Sequence, residues 1–134
     1  MEIVHWLNTI NFGLAVLIWL VQLIVYPSFA YIDEAGFVNW HRKYVKRISS
    51  VAIPLMLAQI LLIFRFVFLK ANLLYFLMLS GIAIIWISSF SLSVPCHKKL
   101  QKSGKDQAVI KRLVQTNWIR TILWSAVFLT GIVS

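Results

Sequence analysis

The chain has 134 residues, is 60% hydrophobic and carries a formal net charge of +9. Its thirteen Lys and Arg residues crowd between apolar stretches, so the charge does not indicate a nucleic-acid partner, and four membrane-spanning helices would leave no room for a separate soluble domain. The single cysteine, Cys96, excludes an intrachain disulfide.

Four stretches that are almost free of charge predict four membrane spans. In chain order they run from about 9–31, 48–69, 73–94 and 113–134. A helix needs roughly 20 residues to cross a hydrocarbon core of about 30 Å. The sequence therefore predicts one domain over residues 1–134, an all-α integral membrane four-helix bundle with up-down-up-down topology.

Basic residues concentrate in the first and third connections between the spans, including the start of the fourth span. Only Arg65 and Lys70, two of the thirteen, lie at the second turn. Because cytoplasmic loops of membrane proteins are rich in Lys and Arg, we expect the first and third connections inside and both termini outside. The predicted location is the plasma membrane, with the lipid bilayer as the partner of a multi-pass chain.

The connections between spans have helical patterns of their own. Phe37, Trp40 and Tyr44 recur at three- and four-residue steps, which predicts a short interfacial helix before the second span. Pro95 is expected to end the third span, because proline and the residue before it disfavour a continuing helix.

The two halves of the chain resemble each other at an offset of 68 residues. Pro27 matches Pro95, and Gly36 matches Gly104. This spacing predicts a two-fold internal repeat, in which both halves enter the membrane in the same sense. The alternative is that two membrane hairpins look alike by composition, and both interpretations stay open.

Arg120 is the most informative single residue. Only 14 residues follow it, about 21 Å of helix, so the fourth span can cross only if Arg120 lies at or slightly inside the membrane boundary. An ionisable residue at that depth is a functional candidate. Its expected partner is Asn117, a backbone carbonyl, a bound anionic ligand or a lipid phosphate, and Trp124 can offer a ring face. The alternative to a functional role is an arginine that extends to the lipid phosphates.

Polar residues also occur at similar depth in the first two spans. Gln22 and Gln59 are predicted to hydrogen-bond to each other, serving either helix adhesion or ligand contact. Helical spacing places small and polar residues on the inward faces of two spans, namely Asn11, Ala15, Ile18, Gln22 and Tyr26 in the first and Gly81, Ser88 and Ser91 in the third. A bundle with this lining can hold a lipophilic ligand.

Two histidines, His41 and His97, follow the first and third spans. They are the candidate catalytic residues, because imidazole is the side chain that exchanges protons near neutral pH. If the halves are symmetric, the two rings approach each other; the alternative is a pair of ordinary interfacial histidines. No histidine lies near a span centre, which argues against haem ligation inside the bundle, and no set of metal ligands is predicted.

The segment from Pro95 onward reads PCHKKLQKSGKDQAVIKRLVQTNWIRTILW. Its Pro-x-His and Asn-Trp-Ile-Arg-Thr-x-x-Trp runs resemble the signature of a family of small bacterial four-helix membrane proteins with no assigned activity. More distantly, the layout is similar to anthrone-oxygenase-like four-helix membrane proteins and to the copper-resistance and haem-linked protoporphyrinogen oxidase membrane families. These resemblances imply a four-helix fold and transfer no function.

The first functional hypothesis is a protein that binds, or also transforms, a lipophilic small molecule near the cytoplasmic leaflet. Arg120 and Asn117 would bind an anionic or carbonyl group, while Trp118, Trp124 and Tyr26 would hold the apolar body. One alternative is a non-catalytic accessory or homo-oligomer-forming subunit, and another is a haem or copper protein. The sequence names no cofactor and leaves enzymatic activity open.

The predicted topology can be checked by cysteine labelling. In a variant that lacks Cys96, a cysteine placed at Lys70 should react with a membrane-impermeant maleimide in intact cells, because the second turn is expected outside. A cysteine placed at Lys102 is the matched control and should react only after the membrane is opened. The reverse pattern would invert the topology.

Overall fold

The computed structural model describes residues 3–134, and within this range the chain forms four long helices and no strand. In chain order they are α1 (Ile3–Tyr31), α2 (Glu34–Lys70), α3 (Leu73–Ser103) and α4 (Gln107–Val133). Short connections reverse the chain after each of the first three helices. Helix α1 packs against α2 and α4, and α3 packs against the same two, so sequence neighbours are neighbours in the bundle. The predicted all-α, up-down-up-down bundle is confirmed.

Three of the helices, α1, α2 and α3, are long and apolar enough to cross a membrane. They expose large apolar side chains on the outside of the bundle, among them Leu61, Phe68 and Ile87. Lipid tolerates such a surface, whereas water does not. Helix α4 is not one of the three, because its apolar sequence is interrupted by Asn117 and Arg120. Both side chains are buried in the bundle, and a fourth span stays a prediction.

The amphipathic segment before the second span is not a separate helix. It is the first part of α2, which runs without a break from Glu34 to Lys70. Neither glycine nor proline occurs between Phe37 and Ile53, so nothing interrupts the backbone hydrogen bonds there. Of the predicted apolar stripe, Phe37 is fully buried, Tyr44 is half-buried and Trp40 is exposed.

Pro95 does not end the third helix, so this expectation is wrong. A π-helical turn, Ser89–Ser93, precedes the proline, and helix continues from Val94. Proline removes a backbone donor and collides with the carbonyl four residues earlier. The wider π turn changes the hydrogen-bond register and accommodates it.

The same arrangement occurs in α1, where the π turn Val21–Val25 precedes Pro27. The two π turns begin at Val21 and Ser89, 68 positions apart in the sequence. This is the offset at which the two halves match. The internal repeat stays a prediction, and the paired π turns support it.

The two connections at the basic end of the bundle are tied together. The Lys105 ammonium donates a hydrogen bond of 2.8 Å to the carbonyl oxygen of Ile32. The Asp106 carboxylate accepts from the backbone amides of Ala108 and Val109 and caps α4. These contacts stabilise the end of the bundle at which the candidate site lies.

The turn between α2 and α3 contains a backbone conformation that favours glycine. Ala71 has φ 37° and ψ 47°, in the left-handed region. Because only glycine adopts this region without steric cost, Ala71→Gly should raise the free energy of unfolding by about 0.5 kcal/mol. The measurement is denaturation of the purified protein in detergent, followed by circular dichroism.

The matched control is Ala83→Gly, at an exposed position inside α3. There the added backbone freedom should lower the free energy of unfolding by roughly 0.5–1 kcal/mol. Destabilisation by both substitutions would contradict the assigned conformation of Ala71.

Candidate functional site

The core of the bundle contains a band of buried polar side chains to which all four helices contribute. Among residues 3–134, the buried polar and charged residues are Asn11, Gln22, His41, Gln59, Ser88, Ser93, Asn117, Arg120 and Thr121. An unpaired polar group in an apolar interior costs several kcal/mol, on the order of 2–7. The hydrogen bonds of this band therefore decide its arrangement.

Arg120 lies inside the bundle and is only 9% exposed. Its two terminal nitrogens donate to Ser89 Oγ at 3.3 Å, to Tyr26 Oη at 3.0 Å and to Asn117 Oδ1. Its Nε is buried without a partner, and all of its partners within residues 3–134 are neutral. The predicted interior position is confirmed, and the alternative that Arg120 extends among lipid phosphates is wrong.

Asn117 connects Arg120 to a second set of amides. Its Nδ2 donates to Gln22 Oε1 at 2.9 Å, and the Thr121 hydroxyl donates to the same oxygen at 3.1 Å. Gln22 Nε2 donates to the carbonyl oxygen of Val114 at 3.0 Å. Gln22 thus joins α1 to α4, and every polar atom of its side chain has a partner.

The predicted hydrogen bond between Gln22 and Gln59 is wrong. Gln59 Nε2 donates to Asn11 Oδ1 at 2.8 Å, and Gln59 Oε1 accepts from Trp124 Nε1 at 3.3 Å. Both glutamines do bond across helices, but each has other partners. Equal depth in two spans does not determine which face each residue occupies.

The two histidines meet at the basic end of the cavity. His41 Nε2 and His97 Nδ1 are 3.0 Å apart, which confirms that the pair approaches across α2 and α3. The other nitrogen of His97 lies 3.1 Å from Tyr26 Oη, and the other nitrogen of His41 lies 3.0 Å from Gln101 Oε1. All four imidazole nitrogens are therefore engaged in hydrogen bonds.

These contacts form a chain of hydrogen bonds, and the partners at its two ends determine which atom of each pair is the donor. An amide oxygen only accepts, so His41 Nδ1 donates to Gln101 Oε1. With both rings neutral, His97 Nδ1 donates to His41 Nε2, and the Tyr26 hydroxyl donates to His97 Nε2. Tyr26 in turn accepts from Arg120. The result is a one-way chain from guanidinium to amide in which every donor meets an acceptor.

Aromatic packing holds the histidine rings in place. His41 is fully buried, and its ring stacks on Phe37 with centroids 5.6 Å apart and on His97 with centroids 5.2 Å apart. The Phe29 ring meets His41 edge-on. This packing orients the chain independently of the hydrogen bonds themselves.

A cavity of about 620 Å³ lies beside this chain, between α2 and α3. Its polar lining includes Tyr26, His97 and Arg120, and the rest is mostly apolar. The outward-facing part is lined by half-exposed apolar residues such as Ile53 and Phe90. The cavity therefore opens through the apolar side of the bundle, and Arg120 is part of its lining.

The structure brings most of the predicted ligand-binding residues to this core. Tyr26, Trp124 and Arg120 line the cavity, and Asn117 holds the guanidinium. Trp118 lies outside the cavity, because its partly exposed ring packs edge-on against Trp19 on the outer surface.

The predicted inward face of α1 is confirmed, since Asn11, Ala15, Ile18, Gln22 and Tyr26 are all buried. On α3 Ser88 is buried as predicted and Ser91 is exposed, and the serines that line the cavity are Ser89 and Ser93. The π turn at Ser89–Ser93 shifts the helical phase that simple spacing assumes.

Ser89 and Gln101 were missed from the sequence. Gln101 follows His97 by four residues, the spacing that places two side chains on one helical face, and this signal identifies it. Ser89 has no comparable signal, because its orientation depends on the π turn. Within residues 3–134 no group of three or more His, Cys, Asp or Glu side chains is arranged to hold a metal ion.

No family model matches the chain, and neither a curated protein nor a solved structure matches it. The chemistry of the site is therefore argued from the geometry of its own residues. That geometry consists of a buried cation, a directed hydrogen-bond chain and an apolar cavity that adjoins both.

The pairing of the amides can be tested by double-mutant cycles. The Asn11→Ala and Gln59→Ala pair should show a coupling of about 0.6 kcal/mol, up to roughly 1.7, because the two side chains bond directly. The Gln22→Ala and Gln59→Ala pair is the control and should be additive. The measurement is the free energy of unfolding in detergent, and coupling in the second pair alone would contradict the observed contacts.

Proposed function

We propose that the protein binds a lipophilic small molecule with an anionic or carbonyl head group, inserted between α2 and α3. The head group contacts Arg120 and Tyr26, and the apolar body occupies the cavity. The basic ends of the helices would place this site near the cytoplasmic leaflet of a bacterial inner membrane.

The observation that carries this proposal is the charge of Arg120. Its guanidinium is buried, and among residues 3–134 its hydrogen-bond partners are all neutral and its Nε has none. Ionised groups are costly to bury unless an opposite charge compensates them. An anion in the adjoining cavity would provide that compensation, and a carbonyl oxygen would accept from the same donors.

The shape and lining of the cavity support an amphiphilic ligand. Apolar side chains such as Met56, Ile53 and Phe90 surround most of it, and its opening faces the apolar outside of the bundle. A molecule that partitions into lipid could therefore enter sideways without crossing water. Lys98, an exposed lining residue, adds a second positive charge at the basic end.

The accessory-subunit alternative accounts for only part of the polar core. It explains Gln59, Asn11 and Trp124, whose hydrogen bonds join helices. It does not explain why a cation with an unpartnered nitrogen adjoins a cavity of about 620 Å³. The resemblance to the small bacterial four-helix family is compatible with either role.

A matched pair of probes tests the proposal. Dodecanoate and 1-dodecanol share one alkyl chain and differ in charge, and their retention by the detergent-purified protein can be compared by native mass spectrometry. A charge-assisted hydrogen bond contributes about 1.5–3 kcal/mol, so the wild type should prefer dodecanoate by roughly tenfold to a hundredfold.

Arg120→Gln should remove this preference, and Arg120→Lys should restore it only in part, because an ammonium lacks the planar fork of guanidinium. The matched control is Arg65→Gln, at an exposed position near the opposite end of α2. This substitution should leave the preference for dodecanoate unchanged. Equal retention of both probes by the wild type, or the same preference in Arg120→Gln, would overturn the proposed function.

A further inference from the structure

We propose that the site takes up its anionic ligand together with one proton, which is held by the His41–His97 pair. This inference rests on the proposed function and specifies the ligand class: a lipophilic weak acid, such as a long-chain carboxylic acid, bound as its anion. The site would then bind charge and countercharge together, without adding net charge to the interior.

The hydrogen-bond chain provides the mechanical link between proton and anion. In the neutral chain the Tyr26 hydroxyl donates to His97 Nε2, so its hydrogen is not available to a ligand. When His97 carries a second proton, Nε2 becomes a donor, and Tyr26 must turn its hydrogen elsewhere. The Tyr26 oxygen then accepts from His97 and from Arg120, whose NH2 lies 3.0 Å away.

The hydrogen released from Tyr26 can point into the cavity, because Tyr26 is one of its lining residues. A bound anion would then receive hydrogen bonds from both Tyr26 and Arg120. The anion thus gains a donor only in the protonated state. Proton and anion therefore favour each other's binding, and this coupling is reciprocal.

The positions of His41 and His97 allow the two rings to share the added proton. His41 Nε2 lies 3.0 Å from His97 Nδ1 and accepts its hydrogen, which spreads the positive charge over two stacked rings. Gln101 keeps His41 Nδ1 as a donor in both states. The protonated chain therefore leaves no imidazole nitrogen without a partner.

The charges around the His41–His97 pair make its protonation depend on the bound anion. The titratable and charged groups that face it are Tyr26 on α1, Tyr44 on α2, Lys98 on α3 and Arg120 on α4. None of these is a carboxylate. A proton on the pair without a ligand would add a second cation beside Arg120, whereas a bound anion offsets both.

The test is the number of protons taken up when dodecanoate binds. Isothermal titration calorimetry in two buffers of different ionisation enthalpy, near neutral pH, measures this number directly. In water dodecanoate is ionised at this pH, since carboxyl groups titrate at about pH 4. A reference titration of dodecanoate into the same detergent without protein subtracts any proton that the micellar probe itself exchanges. The wild type should take up close to one proton, and the affinity should rise by up to about tenfold for each unit of falling pH.

His97→Gln and His41→Gln should reduce proton uptake to near zero and flatten the pH dependence. Tyr26→Phe should do the same while leaving both histidines in place, which provides a second test if a histidine variant does not fold. His5→Gln makes the same chemical change at an exposed histidine in the first turns of α1 and should bind and take up protons like the wild type.

Three outcomes separate this inference from the proposed function. Binding of dodecanoate that depends on Arg120 but takes up no proton would overturn the inference and leave the proposed function standing. Proton uptake that persists in His97→Gln and Tyr26→Phe would also overturn the inference, because the proton would reside on another group. Absence of any Arg120-dependent binding would overturn both.

Discussion

The buried positive charge of Arg120 is the constraint on which the interior of this bundle depends. Its terminal nitrogens bond to Tyr26 on α1, Ser89 on α3 and Asn117 on its own helix, so three helices converge on one guanidinium. In a low-dielectric interior a charge without such donors and acceptors would not be tolerated. The partners are neutral, however, so they solvate the charge without cancelling it.

The direction of the hydrogen bonds couples the groups at the two ends of this arrangement. From Arg120 through Tyr26, His97 and His41 to Gln101, each group donates to the next, and the terminal amide sets the orientation of the whole chain. A change at one end therefore requires a change along its length. Such a chain can connect events in the cavity with protonation at the basic end of the bundle.

A π-helical turn in α1 and another in α3 influence how Tyr26 and His97 are directed into the core. In α1 and in α3 a π-helical turn precedes a proline, at Val21–Val25 and at Ser89–Ser93. Each turn lets the helix continue past the proline, and each changes the phase of the residues that follow it. Tyr26 directly follows the first turn, His97 comes four residues after the second, and the two side chains meet across the diagonal of the bundle.

The sequence by itself determined the fold class and predicted the interior position of Arg120. Charge-free stretches of sufficient length require helices in a bilayer, because backbone groups must bond within their own segment. Arg120 and Asn117 interrupt an otherwise apolar helix, which marked them as candidates for the interior of the bundle. These are constraints of length and hydropathy, which do not depend on neighbours in space.

Only the tertiary structure decided which polar groups meet. Gln22 and Gln59 have a similar predicted depth but bond to different partners, and Trp118, despite its place in the Asn-Trp-Ile-Arg-Thr run, faces outward. Partner choice depends on the rotation of each helix about its axis and on the extra residue in each π turn. Neither quantity follows from periodicity, since both are set by the packing of all four helices together.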